Sequence, residues 1–349
     1  MYQQTSQKKR IDWIDYSKGI LITLVISGHA IPEFGLHLGF LEKIIYSFHM
    51  PAFFILSGYL FKFDACLEKK KFINKKAKQL LLPYLMFCVL ILICHAAKQL
   101  ILHNDIAFFT RLIEKNTIVN TLLLTNSSAF SNLWFLPSIF TAECALYIIF
   151  SLVHSEKLRS VICCGLGLLA FLYGRFVAFP LPLCLDSACL AIFYLYLGYL
   201  LRIQRIKRFF DKNVIFVSGA ALFLVINFID YYYLNNIYCS FYNLHFSNEA
   251  VFLITSILGT LLVVGICKRL KFGRLMSGLG KNSLYIYGFH FIAQNIVGFI
   301  PNPTINSLIG KILLLIVIVT LNLVISLIMI RVYMWLKSHL LHFEFRRRA

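Results

Sequence analysis

Charge is what this 349-residue chain has least of. Asp, Glu, Lys and Arg make up 14% of it against 59% apolar residues, and the apolar residues repeatedly run for about 20 positions without a charge, the length that spans a bilayer. That excludes a soluble globular protein, which could not bury so much apolar surface. Acidic residues are scarcer still, 15 against 34 Lys and Arg, leaving a net charge of +19. A nucleic-acid-binding domain is nevertheless not indicated, because the basic residues fall in short runs between apolar segments with no interleaved aromatics. The ten cysteines include an adjacent Cys163-Cys164 pair but no C-x-x-C spacing or companion His, so neither a zinc site nor a disulfide framework is expected and the thiols read as small apolar packers. No internal repeat is evident and no appended soluble domain is expected, so the chemistry is expected to be done within the membrane part.

What is there is helix. In lipid each backbone polar group must be satisfied within its own segment, so the spans are expected to be helices rather than open sheets. Ten apolar segments can be drawn, near residues 13–34, 44–61, 79–102, 134–154, 160–178, 186–201, 213–234, 249–267, 281–300 and 310–336. The expected fold class is therefore all-α, a polytopic bundle of about ten spans forming one domain over 1–349. Of the 34 Lys and Arg residues, 28 fall on one side of that layout, leaving Lys43, Lys98, Arg111, Lys115, Arg175 and Lys311 on the other. The positive-inside rule then puts both termini in the cytoplasm, with short tails at 1–12 and 337–349. The first segment has the basic lead of a secretory signal but carries Asp15, Lys18 and His29 and lacks a small-residue cleavage site, so it is expected to be retained.

Ionisable groups inside a span cost ~2.5–3.5 kcal/mol at its centre, so each is a candidate for function. Asp15, Lys18, His29, His49 and Glu143 crowd the first four spans. Lys18, Ile22, Val25 and His29 follow helical spacing, which sets a cation and an imidazole on one stripe about 16 Å apart, roughly the length of a pantetheine arm. Asp15 lies near the same face. The arrangement suits coenzyme A entering from the cytoplasm, with Lys18 holding phosphate and His29 meeting the thioester. His49, entering from the outer side, lies about 7–8 Å into the second span, near the depth of His29; alternatively each His only bonds a neighbouring helix. Lys69-Lys70-Lys71, Lys75, Lys76 and Lys78 precede the third span. They fit anchoring to anionic lipid and also reception of donor phosphates at a helix N-terminus.

Further candidates are weaker. Ser57-Gly58-Tyr59 ends the second span with a small pair that admits another backbone or a ligand. Trp134 opens the fourth span as a belt residue or substrate contact. Glu143, some nine residues into that span, is expected to orient a His or pair with a cation. His290 reads equally as packing or as a substrate contact. Asn126 begins a lone glycosylation triplet. The acceptor pocket is expected from the outer loops, 103–133 and 235–248.

At these residues the sequence resembles the membrane acyltransferase family 3, especially its fucose 4-O-acetylase-like branch. Asp15-Tyr16-Ser17-Lys18-Gly19 with His29 eleven positions after Lys18 is similar to the family's first-helix motif. Phe48-His49-Met50-Pro51-Ala52-Phe53-Phe54 and Ser57-Gly58-Tyr59-Leu60-Phe61 resemble its second-helix motifs. Asn132-Leu133-Trp134-Phe135-Leu136-Pro137 and Ser283-Leu284-Tyr285-Ile286-Tyr287 to His290 resemble its fourth-helix and late motifs. The resemblance implies acyl transfer, most often of acetyl, from a coenzyme A thioester to hydroxyls of bacterial surface glycans at the inner membrane. It implies His29 as the catalytic residue, Lys18 as its paired basic residue and Ser57-Gly58-Tyr59 as a donor-side element. Where many relatives have two arginines at the third helix, this chain has Lys75, Lys76 and Lys78, and lysine lacks the bidentate fork.

On this reading His29 is the general base toward a sugar hydroxyl, His49 positions the acceptor or supports the oxyanion, and Glu143 orients an imidazole. Acetyl-CoA is the expected donor, with no metal and no nucleic-acid partner. A variant passes the acetyl group through His29 itself. The rival reading is a transporter or flippase of a lipid-linked sugar, which fits less well because the polar cluster has no counterpart in the later spans. A structural subunit of a glycan synthase would leave the buried His and Lys without work.

Overall fold

A computed structural model describes residues 10–103, 133–177, 179–203, 213–234, 239–299 and 305–348. Each of the ten apolar segments is a helix, and the spans dictate the order. They are α1 (Asp12–Glu33), α2 (Gly39–Leu60), α3 (Lys69–Lys76) running through a π-helical turn at Ala77–Leu81 into α4 (Leu82–His103), α5 (Phe135–Leu152) and α6 (Glu156–Phe176). They continue as α7 (Leu185–Ile203), α8 (Asn213–Tyr232), α9 (Glu249–Arg269), α10 (Gly273–Lys281), α11 (Ser283–Val297) and α12 (Leu308–Arg348). A two-residue hairpin pairs Cys239 with Phe246 and Ser240 with His245. Residues 104–132 of the expected loop 103–133, Asn126 among them, lie outside the described residues.

Seven of these helices are long and apolar enough to cross a membrane: the one running from Lys69, α5, α6, α7, α8, α9 and α12. The three apolar segments that miss this test are α1, α2 and α11, and they carry His29, His49 and His290. At 15 residues α11 is too short, whereas α1 and α2, of 22 residues each, are long enough but too polar; that polarity goes with burial inside the bundle. His49 and His290 are buried on them, and so are Leu21, Val25, Phe54 and Ile286. At the other extreme α8 buries only 17% of its span and presents Val217, Leu224 and Phe228 outward, the pattern of a helix facing hydrocarbon.

Small residues set the central crossings. A Cβ at Gly58 would strike the backbone carbonyl of Leu195, and one at Gly198 would strike that of Ile55, so α2 and α7 touch backbone to backbone. Gly280 meets Asp15 in the same way, bringing α10 onto α1. Such contacts are how helices associate where lipid offers no hydrophobic drive. The carbonyls left open at the end of α2 are taken by Arg202, which donates to Phe61 O and Tyr59 O.

The start of the third span corrects the sequence reading. The lysine run does not precede the helix but forms it, from Lys69 onward. Phe72 and Lys76 are one turn apart on α3, and Glu143 and Tyr147 are one turn apart on α5. The two faces meet in antiparallel register: Phe72 stacks on Tyr147 at 4.0 Å, and Lys76 pairs with Glu143 at 2.6 Å. Tyr147 also donates to Asp64 O and Leu67 O at 2.6 and 2.7 Å, clamping the approach to α3. The amides of Lys75, Lys76 and Lys78 therefore sit within a helical run and are not open at its N-terminus, as the phosphate argument had required.

Candidate active site

Two cavities meet inside the bundle. One, of about 180 Å³, is lined by Lys18, Ile22, Ser57, Lys76, Gln79 and Glu143, among others. The other, of about 320 Å³, is lined by His29, Glu42, Lys43, Tyr46, His49, Trp134 and residues 239–242, among others. Val25, Met50 and Tyr287 line both, and so form the partition between them. The stripe on α1 explains the layout: Lys18, Ile22 and Val25 face the first cavity, Val25 and His29 the second. Helical spacing thus distributes a cation and an imidazole to the two sides of one partition.

The cation-lined cavity differs in detail from the expectation. Of the lysines around the third helix, Lys76 lines it, whereas the neighbouring Lys75 and Lys78 are exposed and do not. The π turn at Ala77–Leu81 carries Gln79 into the lining; such turns are common at functional sites because they re-aim side chains. Glu143 binds Lys76 and does not orient an imidazole, so that expected role is corrected and the cation-pairing alternative is the observed one. Of Ser57-Gly58-Tyr59, only Ser57 lines the cavity. Gly58 is closed against α7, and Tyr59 packs edge-on to Trp13 at 5.2 Å. Asp15, one turn from Lys18, stands outside the lining with its Oδ2 buried and unbonded.

In the histidine-lined cavity the hydrogen bonds fix chemistry. His49 Nδ1 lies 2.7 Å from Ile45 O; a carbonyl only accepts, so Nδ1 carries the proton and Nε2 of the neutral ring holds the lone pair. The neutral His49 ring is therefore an acceptor through Nε2, and donation to an oxyanion, the other expected role, requires the imidazolium. His29 is held through its backbone, whose carbonyl receives Gln294 Nε2 at 3.1 Å. Its ring faces Phe291 and His290, with centroids 5.2 and 5.4 Å away. His290 is fully buried and lines neither cavity, which removes it as a substrate contact.

The wall of this cavity is aromatic. Trp134 stacks on Phe241 at 5.6 Å and 22°, and Phe241 in turn on Phe54 at 5.2 Å, so the hairpin loop Phe241–Tyr242 joins the lining. Sequence reasoning missed two members. Lys43 pairs with Asp230 at 2.6 Å, both almost wholly buried; Asp230 stood out as one of the few ionisable groups of the later spans, but a partner so distant in sequence was not legible. Tyr287, placed between the cavities, has its hydroxyl 3.4 Å from the Phe135 amide. The motif ending in His290 contained it, but only the register of α11 distinguishes the two side chains.

A bundle of apolar helices enclosing lysines, a glutamate and histidines at a two-sided partition defines a membrane-embedded enzyme class. The model of the family described as Acyltransferase domain matches residues 11–331, and the chain belongs to that family of acyltransferases. It is also similar to nodulation protein NolL of Mesorhizobium japonicum, 44% identical over 86 residues, and to NolL of Sinorhizobium fredii, 40% identical over 88 residues. The match covers 22% of this chain in both cases, and 22% and 23% of the respective relatives, so the chain matches less than a quarter of the length of either. No solved structure matches the chain.

Proposed function

We propose that the protein is an O-acyltransferase of the bacterial inner membrane that moves an acyl group, acetyl in the first instance, from cytoplasmic acyl-coenzyme A to a hydroxyl of a cell-surface or lipid-linked glycan. The observation that carries this reading is the pair of cavities sharing Val25, Met50 and Tyr287, one cation-lined and one histidine-lined. The positive-inside bias supports both termini and the Lys18 end facing the cytoplasm. The ten helical apolar segments support ten spans, with α1, α2 and α11 shielded by the others.

In this mechanism Lys18 and Lys76 receive the donor's phosphates as point charges, and Ser57 and Gln79 offer hydrogen bonds along the arm. Phosphate competes with Glu143 for Lys76. The thioester carbonyl reaches the partition, while the acceptor sugar lies against Trp134 with its hydroxyl beside His29 and His49. His29 takes the hydroxyl proton as the oxygen bonds to the carbonyl carbon. The tetrahedral oxyanion collapses, the C–S bond breaks, and the thiolate leaves with the proton from His29. His49 Nε2 accepts from a second acceptor hydroxyl and orients the sugar. The Tyr287 hydroxyl, at the partition, supplies a donor for the oxyanion.

The test is to compare surface glycans by mass spectrometry from wild-type, deletion and His29→Ala cells. Loss of one acetyl unit per repeat in both altered strains supports the transferase. Unchanged acetylation with less glycan at the surface supports export instead.

A further inference from the structure

We propose that His290 is the positioning residue of His29, its Nε2 accepting a ring N–H of His29 and so fixing which nitrogen of His29 serves as base; the role rests on the reading of His29 as that base. His290 is fully buried. Its Nδ1 lies 2.6 Å from Tyr287 O, so Nδ1 carries the proton and the lone pair resides on Nε2. That Nε2 is buried with no hydrogen-bond partner. An unsatisfied buried acceptor costs ~1–3 kcal/mol, and one in a folded protein calls for an explanation.

Two polar rings pack beside it: His29, with centroids 5.4 Å apart and planes tilted by 36°, and Tyr287 of its own helix at 5.8 Å, whose hydroxyl lies at the Phe135 amide. Two buried carboxylates that could orient a catalytic imidazole are engaged elsewhere, Glu143 on Lys76 and Asp230 on Lys43, and Glu42 lines the same cavity as His29, which the buried His290 does not line. The backbones of both histidines are also pinned. Gln294 donates to His29 O at 3.1 Å, and Asn322 of α12 donates to His290 O at 3.1 Å. Ser326 bonds the Asn322 side chain at 3.4 Å. The last helix thereby braces His290, and α11 braces His29.

The consequence is chemical. With one N–H of His29 directed to His290, the other nitrogen holds its lone pair toward the cavity, and the imidazolium formed on proton uptake keeps a neutral acceptor beside it. Catalytic hydrogen bonds are commonly long before substrate binds and tighten in the complex. The work done by a carboxylate in other triads falls here to a second imidazole, whose own tautomer is set by the Tyr287 carbonyl.

Two readouts test this in protein labelled with 15N-histidine in lipid nanodiscs, with the His29 signal assigned by its loss in His29→Ala. The wild type is expected to show His29 in a single tautomer, His290→Phe a mixture, and His290→Gln, which keeps an acceptor oxygen, the single tautomer again. In steady-state acetyl transfer, His290→Phe is expected to lower kcat by roughly 10²-fold, the scale of a general-base contribution, with the KM for acetyl-CoA unchanged, and His290→Gln to recover part of it. An unchanged His29 tautomer in His290→Phe overturns the proposal, as do Gln and Phe variants of equal kcat. The tautomer is read without catalysis, so a tautomer change on His290→Phe in a protein whose wild type transfers no acetyl group would refute the transferase reading alone.

Discussion

Lys76 and Glu143 carry the sharpest residue-level distinction. Had Glu143 oriented an imidazole, Glu143→Gln would depress kcat. Paired with Lys76 at 2.6 Å, it belongs on the donor side of the proposed mechanism, so the expected outcome is a changed KM for acetyl-CoA with kcat within about threefold of wild type, a difference of well under ~1.4 kcal/mol. Lys76→Ala removes a charge-assisted contact worth ~1.5–3 kcal/mol, and the KM for acetyl-CoA is expected to rise roughly 10- to 100-fold. Lys75→Ala and Lys78→Ala, on exposed positions, are expected to leave it unchanged. Initial-rate kinetics in detergent check all four. That Lys18 and His29 share one stripe of α1, and that His29 and His49 come together, was legible from helical arithmetic alone. Which lysine enters the cavity was not, because the π turn shifts the face of the helix and hydropathy does not register it.

Among elements, the crossing of α2 with α7 and the Lys43–Asp230 tie between α2 and α8 hold the histidine-lined cavity in shape. Lys43→Met removes the cation from the buried Asp230 carboxylate, and breaking a buried ion pair from one side destabilises by up to about 3–5 kcal/mol. Lys43→Met combined with Asp230→Leu is expected to recover most of that loss, read as thermal unfolding in detergent. Gly198→Leu drives a side chain into the Ile55 carbonyl and is expected to lower stability by at least ~1–3 kcal/mol, the range of an overpacked core. The existence of the helices was plain in the sequence, since runs of about 20 apolar residues admit little else. The start of the third was not, because Lys69–Lys76 is too polar to extend an apolar run. Its place comes from Phe72 and Lys76 meeting Tyr147 and Glu143, a tertiary match invisible to local pattern. The Lys43–Asp230 pair escaped for the same reason.

At the scale of the molecule, the account rests on acyl transfer across a partition between a cytoplasmic and an outward cavity. Val25, Met50 and Tyr287 line both, so filling that point should uncouple binding from transfer. Val25→Trp is expected to abolish acetylation while Lys18 and Lys76 still bind coenzyme A, measured by calorimetry on the purified protein. The sequence carried the sidedness only as a charge bias, and the partition emerges only when α11, distant in the chain, is brought against the consecutive helices α1 and α2. The most direct measurement uses sealed, inverted inner-membrane vesicles from cells making the protein, supplied from outside with acetyl-CoA labelled in its acetyl group. The account predicts label in glycan enclosed within the vesicles, lost in His29→Ala. Absence of labelled glycan from wild-type vesicles, or equal labelling in the His29→Ala vesicles, would contradict it.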